Sequence, residues 1–162
     1  MNGLQRAGLA GGVLAGLGLL TAILSESVLG LVPCALCLVE RWPYRAAILF
    51  GALALASPRG ARFFVALTAL AMLVAAALGG LHVGVEQGAW PSPLPECAAP
   101  SLGGGTMAER LARMPAHPAK PCDEPTYLVP GLPVSMAAMN MVFATVLAVG
   151  LATMAIRGRS AP

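Results

Sequence analysis

Long apolar runs alternate with short polar interruptions along this chain, and one polar stretch is far longer than the others. Apolar segments cover Ala7 to Leu24, Phe63 to Leu81 and Val134 to Ile156. As helices, each is long enough to cross a hydrocarbon core of about 30 Å. A fourth segment, Ala46 to Ala56, is too short by itself. It reaches membrane length only if Leu38 to Arg45 continue the same helix, which puts Glu40, Arg41 and Arg45 near one membrane face. The pattern predicts an all-α integral membrane protein, a four-helix transmembrane bundle forming a single domain over 1–162. Its helices fall at about 7–25, 38–56, 63–81 and 134–156, with a short outer loop (26–37) and a long one (82–133).

Charge placement orients this bundle. Arg6, Arg59, Arg62, Arg157 and Arg159 flank the helices on one side without an acid among them, and all seven acids fall on the other. Positive residues stay on the cytoplasmic face, so both termini and the Ser57–Arg62 turn are expected in the cytoplasm. The cysteine-bearing loops then face outward, which in a bacterium is the periplasm, where disulfides persist. A content of 57% hydrophobic and 10% charged residues excludes an ordinary soluble domain. The net charge of +3 has no basic stripe or aromatic platform to make it a nucleic-acid footprint. A cleaved signal peptide is the rival reading of the first segment. Its apolar run exceeds the usual length of about 7–15 residues and no small-x-small site follows, so it is read as a helix. Gly8, Gly12 and Gly16 recur along it at a spacing that permits close helix packing.

The long loop is rich in proline and glycine, a composition that builds no packed core of its own and predicts a mobile segment. One short helix is expected inside it. Thr106 and Glu109 form a capping-box pattern, Pro115 ends the run, and Met107, Leu111 and Met114 share a face able to rest on a membrane surface. Cys97 and Cys122 stand on either side of that helix. A disulfide between them would serve either as a structural staple worth a few kcal/mol or as an exposed, exchangeable bond.

The other two cysteines lie in Pro33-Cys34-Ala35-Leu36-Cys37-Leu38-Val39-Glu40-Arg41. Proline suits the first turn of a helix, so Cys34 and Cys37 are expected at a helix N-terminus, where unpaired N–H groups favour thiolate. Cys37, Arg41 and Arg45 then follow on one face. Arg41 is the nearest fixed charge able to stabilise a Cys37 thiolate or another anion there. Its structural alternatives are snorkelling, interfacial anchoring beside Trp42 and Tyr44, or pairing with Glu40 or Glu26. Zinc is not favoured: His82 and His117 could join the cysteines, but the spacing matches no compact zinc module. Leu38, where a c-type haem site needs histidine, excludes that motif, and no βαβ pattern supports a thioredoxin-like domain.

These residues resemble the signature of the DsbB family, membrane enzymes that reoxidise periplasmic disulfide donors. The likeness continues through His82-Val83-Gly84-Val85-Glu86-Gln87-Gly88 into Trp90-Pro91-Ser92-Pro93 and Cys97. It resumes at Cys122-Asp123-Glu124-Pro125, Gly131, Ser135-Met136-Ala137 and Asn140. The resemblance implies a multi-pass protein of the bacterial inner membrane with a bound quinone, ubiquinone or menaquinone, no metal, and a DsbA-like thioredoxin-fold partner in the periplasm. It also implies a relay. The partner thiolate attacks a Cys97–Cys122 disulfide and is held on Cys97; Cys122 attacks Cys34; the freed Cys37 donates to the quinone, assisted by Arg41. His82 is a further candidate at the quinone, although one well-known member of the family carries its histidine two residues later, at the position of Gly84. Two other classes compete: an electron carrier delivering reductant outward, and a non-enzymatic membrane protein with a stapled loop. Outward-facing cysteines disfavour the first, and a cation beside one sulfur disfavours the second.

Overall fold

A computed structural model describes residues 1–97, 106–112, 120–129 and 131–158. Met114, Pro115, His117 and Arg159 lie outside these residues. The described helices are α1 (Gly3–Ser27), α2 (Ala35–Ala56), α3 (Ala61–Glu86), α4 (Met107–Ala112) and α5 (Met136–Arg157), with a 3₁₀ turn at Pro95–Cys97. Among the described residues there is no strand, only an isolated parallel bridge between Cys34 and Lys120.

Three helices, α1, α3 and α5, are long and apolar enough to cross a membrane. The fourth long helix, α2, has 22 residues but carries Glu40, Arg41 and Arg45 in its outer half. Several helix ends differ from the sequence-based boundaries, for local reasons. Asn2 caps α1 in a reciprocal box with Gln5, so polar residues extend that helix beyond its apolar run. The start of α2 is Ala35, with extended Cys34 as its N-cap, rather than Pro33 or residue 38. Residues 82–86, expected to open the long loop, instead complete α3. Their polar side chains find partners on α2 and α5, as set out below. The capping box of Thr106 and Glu109 starts α4.

The helices pack in sequence, α1 on α2, α2 on α3 and α3 on α5, with α1 also touching α3, whereas α1 and α5 meet only sparsely. Small residues fill the interior: Ala15, Ala47, Ala75 and Ala144 are fully buried around Met72. Large apolar side chains such as Val13, Leu17, Leu70 and Val146 point outward. Large residues outside and small ones inside suit a bundle whose solvent is lipid. The closest approach joins α1 to α2. A Cβ on Gly8 would come within 2.4 Å of the Ala54 Cβ, and one on Gly51 within 2.7 Å of the Gly8 carbonyl oxygen. The glycine stripe of α1 thus serves packing inside the chain.

Ser135 caps α5, accepting from the Ala138 N–H, and its hydroxyl donates to Glu86 at the end of α3 over 2.5 Å. That link closes the outer end of the α3–α5 pair, directly beside the cysteines.

Candidate active site at the start of α2

As N-cap of α2, Cys34 directs its sulfur back over the first turn, where it accepts from the Cys37 N–H over 3.3 Å. The two sulfurs are 3.0 Å apart, both as thiols. Cys34 is buried and Cys37 half-buried. Hydrogen bonding from Cys37 outweighs burial and lowers the Cys34 thiol from an ordinary 9.0 to about 7. The thiolate-favouring helix start expected from the sequence therefore holds for Cys34 alone, where the neighbouring thiol is the largest contributor and backbone N–H groups add to it.

Behind Cys34 stands a buried polar chain. His82 Nε2 lies 3.5 Å from the Cys34 sulfur, and His82 Nδ1 lies 2.7 Å from Glu40 Oε1. Glu40 Oε2 accepts from the Asn140 amide over 2.6 Å, and Asn140 Oδ1 accepts from the Tyr44 hydroxyl. A carboxylate on Nδ1 fixes the proton there and leaves the Nε2 lone pair facing the thiol. His82 is only 3% exposed and Glu40 8%. The two sulfurs and the His82 ring nitrogen lie within 4.8 Å of one another, close enough to share a soft ion. Their direct sulfur–sulfur contact is equally the geometry of disulfide chemistry.

The long loop folds onto the same place. Cys97 and Cys122 form a disulfide with an S–S distance of 2.07 Å. Of the two sequence-based alternatives, the exposed bond is not what is seen: Cys97 is 5% and Cys122 0% exposed, clustered with Cys34, Leu36 and Val85. The 3₁₀ turn at Pro95–Cys97 and the bridge from Cys34 to Lys120 hold both half-cystines against the start of α2. Trp90 anchors the descent from α3: its indole N–H donates to the Leu81 carbonyl, and its ring occupies the space beside Gly84. A Cβ on Gly84 would lie 2.0 Å from that ring, so this position takes no side chain here. The chain's histidine sits one short step back, at 82.

On the opposite side of Cys37 a cavity of about 390 Å³ opens between α1, α2 and α5. Cys37, Glu40, Arg41, Tyr44 and Asn140 supply its polar wall, and α1 and Phe143 much of its apolar one. His82 is not on this wall; it sits behind Cys34 and Glu40. Arg41 pairs with Glu26 of α1 at 2.7 Å through one terminal nitrogen, while its buried Nε has no hydrogen-bond partner. Arg45 instead lies over the Trp42 ring, 4.9 Å from its centroid, a structural contact at the membrane edge.

Sequence reasoning singled out Cys34, Cys37, Cys97, Cys122, Arg41 and His82, and the fold gathers all six at the end of the bundle where α2 and α5 start and α3 ends. It gave no role in the site to Glu40, Tyr44 or Asn140. The available signal was Glu40 and Tyr44 at i and i+4, an acid and a phenol on one helical face in a membrane-length segment.

Comparison with known proteins agrees with this geometry. The model of the family described as "Disulfide bond formation protein DsbB" matches residues 5–154. A search of curated proteins and one of solved structures each returned no match. Nearly the whole chain fits the family model, and its cysteines converge on one end of a helical membrane fold: the chain belongs to the DsbB family and is a membrane oxidoreductase of disulfide bond formation.

Proposed function

We propose that this protein reoxidises a periplasmic, DsbA-like thioredoxin-fold dithiol protein and passes the electrons to a membrane quinone, ubiquinone or menaquinone. In this reading it is an inner-membrane protein with both termini cytoplasmic. The helix α2 is a fourth crossing, with Glu40, Arg41 and Arg45 near its periplasmic face. The observation that carries the proposal is continuity. The loop disulfide packs on Cys34, Cys34 touches Cys37, and Cys37 borders an apolar cavity.

The cavity fits a quinone. Its wall is largely apolar, it adjoins the sparse α1–α5 seam, and Arg41 Nε is a buried donor lacking an acceptor. Arg41 lines that wall, so its guanidinium supplies a charged donor for a carbonyl oxygen held in the cavity. When bound, the quinone supplies a two-electron acceptor of the high potential needed to keep a strongly oxidising donor protein oxidised.

The chain's own residues do the rest. A donor thiolate attacks Cys97, which requires the Pro95–Cys97 turn to move off its buried seat. The mixed disulfide forms on Cys97 and the Cys122 thiolate is released. In the oxidised enzyme, with Cys34 and Cys37 joined as a disulfide, Cys122 packed near Cys34 attacks it; the Cys34–Cys37 bond breaks, a Cys34–Cys122 bond forms and Cys37 leaves as a thiolate. Arg41 stabilises that thiolate at the cavity wall, and the α2 N-terminus adds its partial positive charge.

The test is quinone reduction by purified protein in detergent, driven by a reduced thioredoxin-fold dithiol protein, with both quinone types. Wild type is expected to turn over and Cys37→Ala to be inactive. Turnover surviving in the mutant removes Cys37 from the quinone step. No turnover in wild type favours the stapled, non-enzymatic alternative.

A further inference from the structure

Glu40 is a buried acid for which the disulfide relay has no use. Its neighbour in sequence, Arg41, is paired with Glu26 and leaves it without an arginine partner. It is held instead between His82 and Asn140, one oxygen to each, and it also borders the cavity. A carboxylate at the edge of a low-dielectric bundle is costly unless it has partners or a task.

We propose that His82 and Glu40 form a proton relay that deprotonates Cys34 when the Cys34–Cys37 pair closes, moving its proton to the cavity side of α2. The inference rests on the relay reading above. Once Cys122 has re-paired with Cys97, Cys34 is free as a thiol and Cys37 remains a thiolate, so closing the pair releases two electrons, which the quinone accepts, and one proton, that of Cys34. Only a thiolate attacks sulfur, so Cys34 must lose its proton before it can bond to Cys37. The Cys34 S–H proton passes to His82 Nε2 over 3.5 Å while the Nδ1 proton passes to Glu40 Oε1 over 2.7 Å. The products are a Cys34 thiolate, a neutral imidazole of the other tautomer and a Glu40 carboxylic acid. The negative charge moves from Glu40 to Cys34 without separating into a buried ion pair, which would be expensive here.

The titratable groups facing the relay are Cys34 and Cys37 at the start of α2, Tyr44 further along it, and Glu86 on α3. Against it, α5 places the neutral Asn140. Asn140 cannot accept a proton as a carboxylate does; it orients Glu40, and Tyr44 orients it in turn. His82 touches the reacting sulfur and is assigned as a catalytic residue, while Glu40 acts through it.

The experiment has an arm without quinone and an arm with turnover. In the first, quinone-free reduced protein is alkylated with iodoacetamide across a pH series, and modification at Cys34 is followed by peptide mass spectrometry. His82→Gln is expected to move the midpoint of the Cys34 profile upward by a unit or more, about tenfold less reaction at neutral pH, with the high-pH plateau unchanged. A plateau change without a midpoint shift means that His82 only packs against Cys34, and it overturns the relay; so does an unaltered profile. In the second arm, Glu40→Gln keeps the shape of residue 40 and one acceptor oxygen for His82, loses the acceptor for Asn140, and cannot take up the proton. Its kcat is expected to fall at least tenfold with little change in KM for quinone, in the range of general acid–base contributions (about 10²–10⁴-fold). Glu40→Asp is expected to recover part of the loss. Full activity in Glu40→Gln, or equal loss in both variants with helix content intact by circular dichroism, overturns the assignment. Absence of turnover in wild type would instead refute the underlying quinone reading, and the first arm would still decide the Cys34–His82 step.

Discussion

Replacing Arg41 by methionine separates the two uses this side chain could have. Arg41 binds Glu26 through one terminal nitrogen, has a buried Nε without a partner among the described residues, and lines the cavity wall. The ion pair is the weaker of the two, because the Glu26 side chain is 43% exposed. Pairs of that kind are worth about 0–1 kcal/mol. A charged donor meeting a buried carbonyl oxygen is worth about 1.5–3 kcal/mol, or roughly 10- to 150-fold in an equilibrium constant. Arg41→Met should therefore raise the quinone KM by at least about tenfold, and Glu26→Gln by no more than about fivefold. Methionine retains apolar bulk along the cavity wall, so the loss reports on the donor and its charge rather than on a collapsed helix. The assay is steady-state quinone reduction at saturating donor protein, with quinone varied and both variants beside wild type. A KM for Arg41→Met within threefold of wild type would refute the quinone-facing role. Equal effects of the two substitutions would reduce Arg41 to the structural partner of Glu26.

Two substitutions test the packing that positions the site. Gly51→Leu puts a side chain where even a Cβ meets the Gly8 carbonyl oxygen at 2.7 Å and the Gly12 Cα at 2.8 Å. It should cost at least the roughly 1–3 kcal/mol of a small-to-large core change, read as a lower thermal midpoint in detergent; an unchanged midpoint would mean that α1 and α2 do not approach as described. Gly84→Val should evict Trp90 from its seat at the end of α3, because a Cβ there falls 2.0 Å from the indole ring. The expected readout is a changed Trp90 fluorescence in a Trp42→Phe background and faster protease cleavage of the 88–97 segment, and neither should occur if the ring lies elsewhere.

Some features were legible from sequence because they are periodic or local. Apolar run length identifies the helices α1, α3 and α5, since lipid demands that length from any helix that crosses it. The box of Thr106 and Glu109 marks the start of α4, because capping is settled within four residues. The spacing of Cys34 and Cys37 places two sulfurs one turn apart. Other features could not be read this way. The expectation of a mobile loop followed from composition, yet Cys97 and Cys122 are buried because the start of α2 offers an apolar seat beside Cys34, Leu36 and Val85. The end of α3 was set too early at Leu81, because polar His82 and Glu86 read as loop in sequence and gain buried partners only in the bundle.

The sequence by itself determined the membrane class, the dithiol chemistry and the family, since each is written in run length, short spacing and an ordered motif set. Only the tertiary structure decided what each side chain faces. It joined Glu40 to His82, 42 positions away, and to Asn140, 100 positions away, and it turned Arg41 toward α1. Helical periodicity places a residue on a face, but its partner is chosen by which helix packs there. That choice follows from small-residue contacts such as Gly8 and Gly51, summed over the whole bundle.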